Sequence, residues 1–380
     1  VSLKAAHDRA AAARVEIAAG RDPQGEKIEA RATEKKRLSY GALVDVYAAE
    51  VLVHQRTAHD RELLLRRMGD RYGWTDSPAN AITPVEAWEA LAHLAGKGGR
   101  GGRPAPVAAL AAKSILRTMF KWARQPHRGH VDHNPFGDLE APARKPKPRE
   151  RTLSLHELAQ VWRALDAPEA FGIASAGALG LRLIFATAAR PGMVAGMTRG
   201  ELVGLDAAQP KPRALRLVGS KIETGPIWDL PPARMKKNRR FICPLSPLAV
   251  DLIRASTTVG HRVIGAPYIA RPNTVMTVNA LGKLCRKLCK ALSLPRFTPH
   301  DLRRTASSLL GQHGWNDDMI GKLLAHESDS VTSRHYNNNA LAYLTEKCEM
   351  VLLLDRLMEQ ALRDFGERAA GDIANQRMSA

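Results

Sequence analysis

TPHDLRRTASSLL, residues 298–310, is the stretch on which the reading of this sequence turns. Thr298 suits an N-cap and Pro299 the first helical position, so a helix is expected to start here with His300 in its first turn. Leu302, Ala306, Leu309 and Leu310 recur at the spacing of a buried stripe. His300 and Arg303, three residues apart, share another face. An exposed His and Arg at a helix N-terminus gather side-chain donors, free amides and the helix dipole in one place, which suits a phosphate group. The HxxR pair alone is weak, because chance produces it often and most copies sit on a solvated surface.

The flanking sequence adds further residues. A second helix is expected over 316–325, with Met319, Ile320, Leu323 and Leu324 as its buried face and His326 at its end. Tyr336 follows ten residues later, in SVTSRHYNNN. Upstream, FATAARPGMV places Arg190 after a hydrophobic helix and before Pro191 and Gly192. RMKKNRRFICPLS supplies Lys236 and Lys237 at a basic hairpin tip ahead of a strand. Each has an ordinary reading: Arg190 as a helix cap, Lys236 as a solvated turn, His326 as a satisfied helix end, Tyr336 as core.

Composition narrows the class. The 380 residues carry 57 Lys and Arg against 38 Asp and Glu, a net charge of +19. That excess favours a polyanion, with nucleic acid ahead of an anionic membrane surface. A hydrophobic fraction of 44% excludes a wholly disordered basic chain. No run reaches the roughly 18 apolar residues of a membrane span, and the charge-broken N-terminus is not a signal peptide. Four cysteines in so long a chain make no disulfide framework, which favours a reducing cytoplasm. Cys285 and Cys289 are helix neighbours without further ligands at metal spacing, so neither a metal nor another cofactor is expected.

Along the chain, residues 1–35 read as a charged helical segment, broken by a turn at 20–23. A helical domain follows over 36–139, with Leu43, Val44, Tyr47, Val51 and Leu52 at helical spacing and another helix over 83–94. GKGGRGGRPAP, residues 96–106, is a loop. The helix after it, 107–124, turns Leu110, Leu116, Met119 and Ala123 to a core and stacks Lys113, Arg117, Lys121 and Arg124 on one face. No acidic residue lies between Pro104 and Arg128, so this row suits a phosphate track better than a neutralised surface. The segment 140–152 alternates proline with Lys145, Lys147 and Arg149, forbids a helix and marks the domain boundary. Beyond it the pattern is mixed: helices over 154–165 and 176–188, then strands at 214–218 and 226–230 expected to pair, with 240–244 joining them. After Tyr336, Leu341, Leu344, Cys348, Leu352 and Leu353 mark an amphipathic C-terminal helix.

In this order and spacing, Arg190, Lys236, His300, Arg303, His326 and Tyr336 make residues 153–345 resemble the catalytic domain of the tyrosine recombinases, the phage integrase family. Lys236 is preferred to Lys237 because it lies eight residues before Pro244, the family's usual offset. The N-terminal half is similar in layout to the family's helical core-binding domain, including Asn134 to Phe136 before the linker. The phrases RMKKNRRFICPLS and SLKAAHDRAAAARVEIAAGRDP look most like integrases of prophages and genomic islands, in which a small arm-binding domain precedes the second phrase. The resemblance therefore implies a multidomain, mainly α chain with a core-binding domain and a mixed α+β catalytic domain built on a small antiparallel sheet. The amphipathic C-terminal helix could pack on its own domain, or the segment 346–380 could make subunit contacts as in family members that assemble tetramers.

The resemblance also implies an activity, namely site-specific integration or excision of a mobile element through a 3′-phosphotyrosine intermediate. Arg190 and Arg303 would clamp the phosphate, His326 would hydrogen-bond it, His300 would accept the Tyr336 proton and Lys236 would protonate the leaving oxygen. Lys113, Arg117, Lys121, Arg124, Lys145, Lys147, Arg149, Lys237 and Arg239 are the expected contacts to duplex DNA. The expected partners are DNA attachment sites, a tetramer of this chain and an accessory bending or directionality factor, at the nucleoid of a bacterial cytoplasm. The alternatives are a type IB topoisomerase and a non-catalytic DNA-binding protein. Two positions depart from the family: Met193 stands where an acidic residue is usual, and Ala188 where glycine is frequent.

Overall fold

The computed structural model describes residues 3–20, 22, 24–25, 37–55, 57–145, 147, 150–205, 216–218, 221–224, 226–235, 238–256, 261–265, 276–326 and 343–378. The chain divides into two units, Val1–Pro148 and Arg149–Ala380, inside the basic proline-rich segment.

The first unit is helical. Helix α1 (Leu3–Ala18) ends just before Gly20, whose φ of 79° is open to glycine at no steric penalty. The charged helix expected after this turn lies largely outside the described residues. Helix α2 (Tyr40–Glu50) starts where the Ser39 hydroxyl accepts the Ala42 amide. It buries Tyr40, Leu43, Val44 and Tyr47. Helix α3 (Ala58–Tyr72), which the hydropathy pattern does not announce, adds Leu65 and Met68. Gly69 lets α2 approach, since a Cβ there would stand 2.7 Å from the Tyr40 ring. Thr83 and Glu86 form a capping box at the start of α4 (Pro84–Gly96), which packs on α5 (Pro106–Ala123). Phe136, from the NPF stretch, closes the core between Trp74 and Phe120. Each such buried aromatic contributes about 2 kcal/mol of transfer free energy.

The second unit holds α6 (Leu155–Ala164), α7 (Ser175–Ala186), α8 (Pro191–Ala195), α9 (Pro247–Arg254), α10 (Val278–Ala291), α11 (Pro299–Gln312), α12 (Asp317–Leu323) and α13 (Leu344–Met378). Helix α7 is apolar on nearly every side because other helices cover it, α9, α10, α11 and α13 among them. A three-stranded antiparallel sheet runs in the order β1 (Leu202–Val203), β4 (Ile227–Leu230), β5 (Phe241–Pro244). Trp228 faces Cys243 and Leu230 faces Phe241 across β4 and β5.

One expectation needs correction. The strand at 214–218 does not pair with 226–230: β2 (Arg216–Val218) pairs with its sequence neighbour β3 (Lys221–Thr224), and β1 is the second partner of β4. The C-terminal helix α13 packs within its own unit, one of the two arrangements its amphipathic pattern allows. Its residues Met350, Val351, Leu354, Met358 and Ala361 join the core of their own unit, against α6, α7, α11 and β5. Leu352, expected on the apolar stripe, is 39% exposed; Leu341 lies outside the described residues. Among the described residues, no helix is long and apolar enough to cross a membrane.

Candidate active site

Helix ends meet at the site, and each part of it is shaped by how a helix stops or starts. Helix α7 finishes at Thr187, whose hydroxyl donates back to Leu183 O at 2.6 Å. Ala188 then turns the chain with a φ of 49°. A non-glycine residue pays for that left-handed backbone. The turn delivers Arg190 as the N-cap of α8, its carbonyl accepting the Met193 amide at 2.8 Å. The backbone of Arg190 is thus the helix cap of the ordinary reading, while its guanidinium is used elsewhere.

Helix α12 ends in a Schellman turn. The His326 amide donates to Gly321 O (2.8 Å) and the Ala325 amide to Lys322 O (3.3 Å), with Ala325 at φ 49°. This leaves the carbonyls of Leu324 and Ala325 pointing out at the negative end of the helix dipole. Arg303 Nη2 donates to Leu324 O at 2.8 Å and Arg190 Nη2 to Ala325 O at 3.0 Å. Arg303 Nη2 also lies 3.1 Å from His326 Nε2. One helix end therefore seats both arginines and the histidine.

Helix α11 starts as its sequence requires. The Asp301 carboxylate accepts the Thr298 amide (2.9 Å) and hydroxyl (2.8 Å), leaving His300 outward in the first turn. Arg303, one turn on, is only 7% exposed. Its Nη1 is buried and has no hydrogen-bond partner among the described residues. Burial, then the charge of Arg190, pulls the Arg303 pKa down to about 9. Partial burial, then Arg303, lowers the pKa of both His300 and His326. Both imidazoles are thus biased to the neutral form, in which one ring nitrogen accepts a proton. Leaving a charged donor buried and unpaired costs about 1–3 kcal/mol or more. Two mutually repelling cations with a spare donor make a seat for an oxyanion.

Of the six expected catalytic residues, Arg303 meets His326 directly, Arg190 rests on the same helix end, and His300 is coupled to them through its helix and through charge. Lys236 and Tyr336 lie outside the described residues. Among the expected DNA contacts, Arg117, Lys121 and Arg124 are exposed on α5, but Lys113 is half-buried and donates to Leu139 O. Lys145 and Lys147 are exposed and Arg239 is half-buried, while Arg149 and Lys237 lie outside the described residues. Arg240 pairs with Asp229, and Arg234 with Glu201.

Sequence reading missed two features here. Arg286 and Arg304 flank a groove beside His300, and no spacing rule singles them out. Glu201, buried and paired, has a readable signal: Thr198 precedes it at capping-box distance.

Residues 157–342 match the phage integrase family. Over 128 residues the chain is 33% identical to prophage integrase IntA of Escherichia coli K12, a stretch covering 33% of this chain and 29% of that protein. Among solved structures, a lambda integrase dimer bound to a COC′ core site superposes with a TM-score of 0.57 at 19% identity, over 87% of this chain and 86% of that one. Lambda integrase as a tetramer bound to a Holliday junction gives 0.56 at 19% identity, over 87% and 89%. The Tn1549 transposon integrase in complex with circular intermediate DNA gives 0.50 at 15% identity, over 77% and 94%. The landmark residues, the small antiparallel sheet among helices and the family match agree on one conclusion: residues 157–342 form a domain of the phage integrase family.

Proposed function

We propose that this chain is a site-specific DNA recombinase that integrates or excises a mobile element. The observation carrying the proposal is the buried Arg303, held with Arg190 against the end of α12 and keeping one donor unpaired among the described residues. Attack on a phosphodiester builds negative charge on its non-bridging oxygens, and two guanidiniums meet that charge with paired N–H donors. Tyr336 supplies the nucleophilic oxygen. A phenol with a pKa of about 10 needs a proton acceptor, and neutral His300 takes that part. The bond to the 5′ oxygen breaks as the 3′-phosphotyrosine bond forms, and Lys236 gives that oxygen its proton. The ester keeps the bond energy, so another 5′-hydroxyl can attack it and religate without ATP.

The partners fit the same reading: duplex DNA tracked by Arg117, Lys121 and Arg124, and a tetramer on paired sites, with an accessory bending factor, in the bacterial cytoplasm at the nucleoid. Subunit contacts fall to the chain beyond Phe365, because the earlier turns of α13 are occupied in their own unit. The similar lambda and Tn1549 integrases, whose structures hold DNA, support the substrate class.

Incubation with a nicked suicide duplex carrying the attachment site tests the reading. A covalent protein–DNA adduct should form and vanish in Tyr336→Phe. Arg303→Ala should keep DNA binding and lose adduct formation by about 100-fold or more. An adduct unchanged in Tyr336→Phe sinks the proposal. Strand exchange between two sites, in place of relaxation of one supercoiled circle, separates it from a type IB topoisomerase.

A further inference from the structure

Eleven residues after Arg190 stands a carboxylate that the proposed chemistry does not use. Glu201 is 7% exposed, yet its carboxylate is fully engaged. Arg234 Nη1 reaches both oxygens, at 2.6 and 2.5 Å. The Trp228 indole donates to it at 2.9 Å and the Thr198 amide at 3.2 Å. The other arm of the guanidinium, Arg234 Nη2, donates to Met193 O at 2.6 Å. Met193 belongs to the short helix α8, and its amide is the one received by the Arg190 carbonyl. Arg234 therefore bridges three pieces: the turn bearing Glu201, the helix that Arg190 caps, and the β4–β5 connection on which Lys236 lies two residues further on.

The neighbourhood is shaped for that bridge. A Cβ on Gly196 would stand 2.7 Å from Arg234 Nη2, so a larger residue there would have to push the guanidinium aside. Arg234 closes a short 3-10 turn (Pro232–Arg234), and Met235 after it is buried. The Asn238 amide donates back to Met235 O at 3.3 Å. A buried ion pair is a poor source of stability, because desolvation consumes most of the Coulombic gain. What it secures is geometry. Position 193, where the family usually has a carboxylate, carries a methionine here, and its backbone carbonyl receives the arginine.

We propose that the Glu201–Arg234 pair is a positioning device that locks the Lys236-bearing connection to the helix capped by Arg190, and so aligns the proton donor with the phosphate clamp. The proposal rests on the recombinase reading and on Lys236 as the acid of the leaving 5′ oxygen. It separates Arg234 from a residue that merely keeps the unit folded, because a misplaced acid is spared when the leaving group needs no proton.

The experiment compares the wild type with Arg234→Ala, Arg234→Lys, Gly196→Ala and Lys236→Ala in single-turnover cleavage. Two nicked suicide duplexes are used, one with oxygen and one with sulfur at the 5′-bridging position of the scissile phosphate. A thiolate leaves without protonation. On the oxygen substrate, Arg234→Ala should slow adduct formation by up to about 100-fold, the low end of what general acid catalysis contributes. On the sulfur substrate Arg234→Ala and Lys236→Ala should both return to near the wild-type rate. Gly196→Ala, which leaves both charges in place and only displaces the guanidinium, should show the same pattern more weakly, and Arg234→Lys should recover part of the loss. Equal slowing of Arg234→Ala on both substrates, or no slowing on either, overturns the proposal. Wild-type protein that forms no adduct on either substrate contradicts the recombinase reading itself, a distinct result.

Discussion

Ala325 carries more of the site than its side chain suggests. It holds the left-handed position of the turn ending α12, and that turn offers the two carbonyls on which Arg303 and Arg190 rest. Glycine adopts this backbone without steric penalty, and Ala325 is only half-buried, so little packing is lost with its methyl. Ala325→Gly is expected to stabilise the second unit by about 1 kcal/mol, raising its melting temperature by about 2–4 °C. A thermal melt that falls or stays level contradicts the account. The sequence shows His300 and Arg303 clearly, because a cap, a proline and an apolar stripe are local signals. It does not show the turn at Ala325, since alanine is the residue least associated with a helix stop.

Helix α13 teaches the same lesson one scale up. A hydropathy count puts Lys347 and Asp355 on its wet face, but both are buried, and the register inferred from Leu344, Cys348, Leu352 and Leu353 is rotated from the real one. Each charge has a use that patterning cannot reveal. Lys347 Nζ donates to Ile242 O of β5 at 3.3 Å and lies over the Phe241 ring. Asp355 accepts the Ser246 hydroxyl (2.7 Å) and the Leu248 amide (3.0 Å), capping α9 from another helix. Burial, against those two hydrogen bonds, lifts the Asp355 pKa to about 6 from an ordinary 3.8. The folded state then binds this proton more tightly than the unfolded chain. Its stabilising share is complete below about pH 4 and is lost as pH rises through about 6, up to about 3 kcal/mol in all. Urea midpoints measured from pH 4 to 7 should fall along this window in the wild type and less steeply in Asp355→Asn. The strand pairing was illegible for a related reason: Lys221 to Thr224 reads KIET, with a single apolar residue, so nothing in it announces a strand.

At the scale of the whole molecule, the net charge of +19 resolves into separate populations. Arg151, Arg182, Arg234 and Arg240 are committed to internal ion pairs, and Lys113 to a backbone carbonyl. Arg117, Lys121 and Arg124 remain exposed on α5. The division of the chain near residue 148 was legible because proline and basic residues alternate there; which cations are spoken for was not, because ion pairing joins residues far apart in sequence.

The burial of Arg303 has a consequence for kinetics. Exposed cations bind DNA by releasing condensed counterions, so replacing Arg117, Lys121 and Arg124 together by alanine should flatten the log–log dependence of affinity on ionic strength by about 3. A guanidinium seated on backbone carbonyls inside the fold is screened far less by mobile ions. Once the complex is saturated, the first-order cleavage rate should therefore vary less than about threefold between about 50 and 200 mM salt, while affinity drops by orders of magnitude. Under the proposed recombinase reading, ionic strength decides how often the protein is on DNA, and leaves almost untouched how fast it cuts once there.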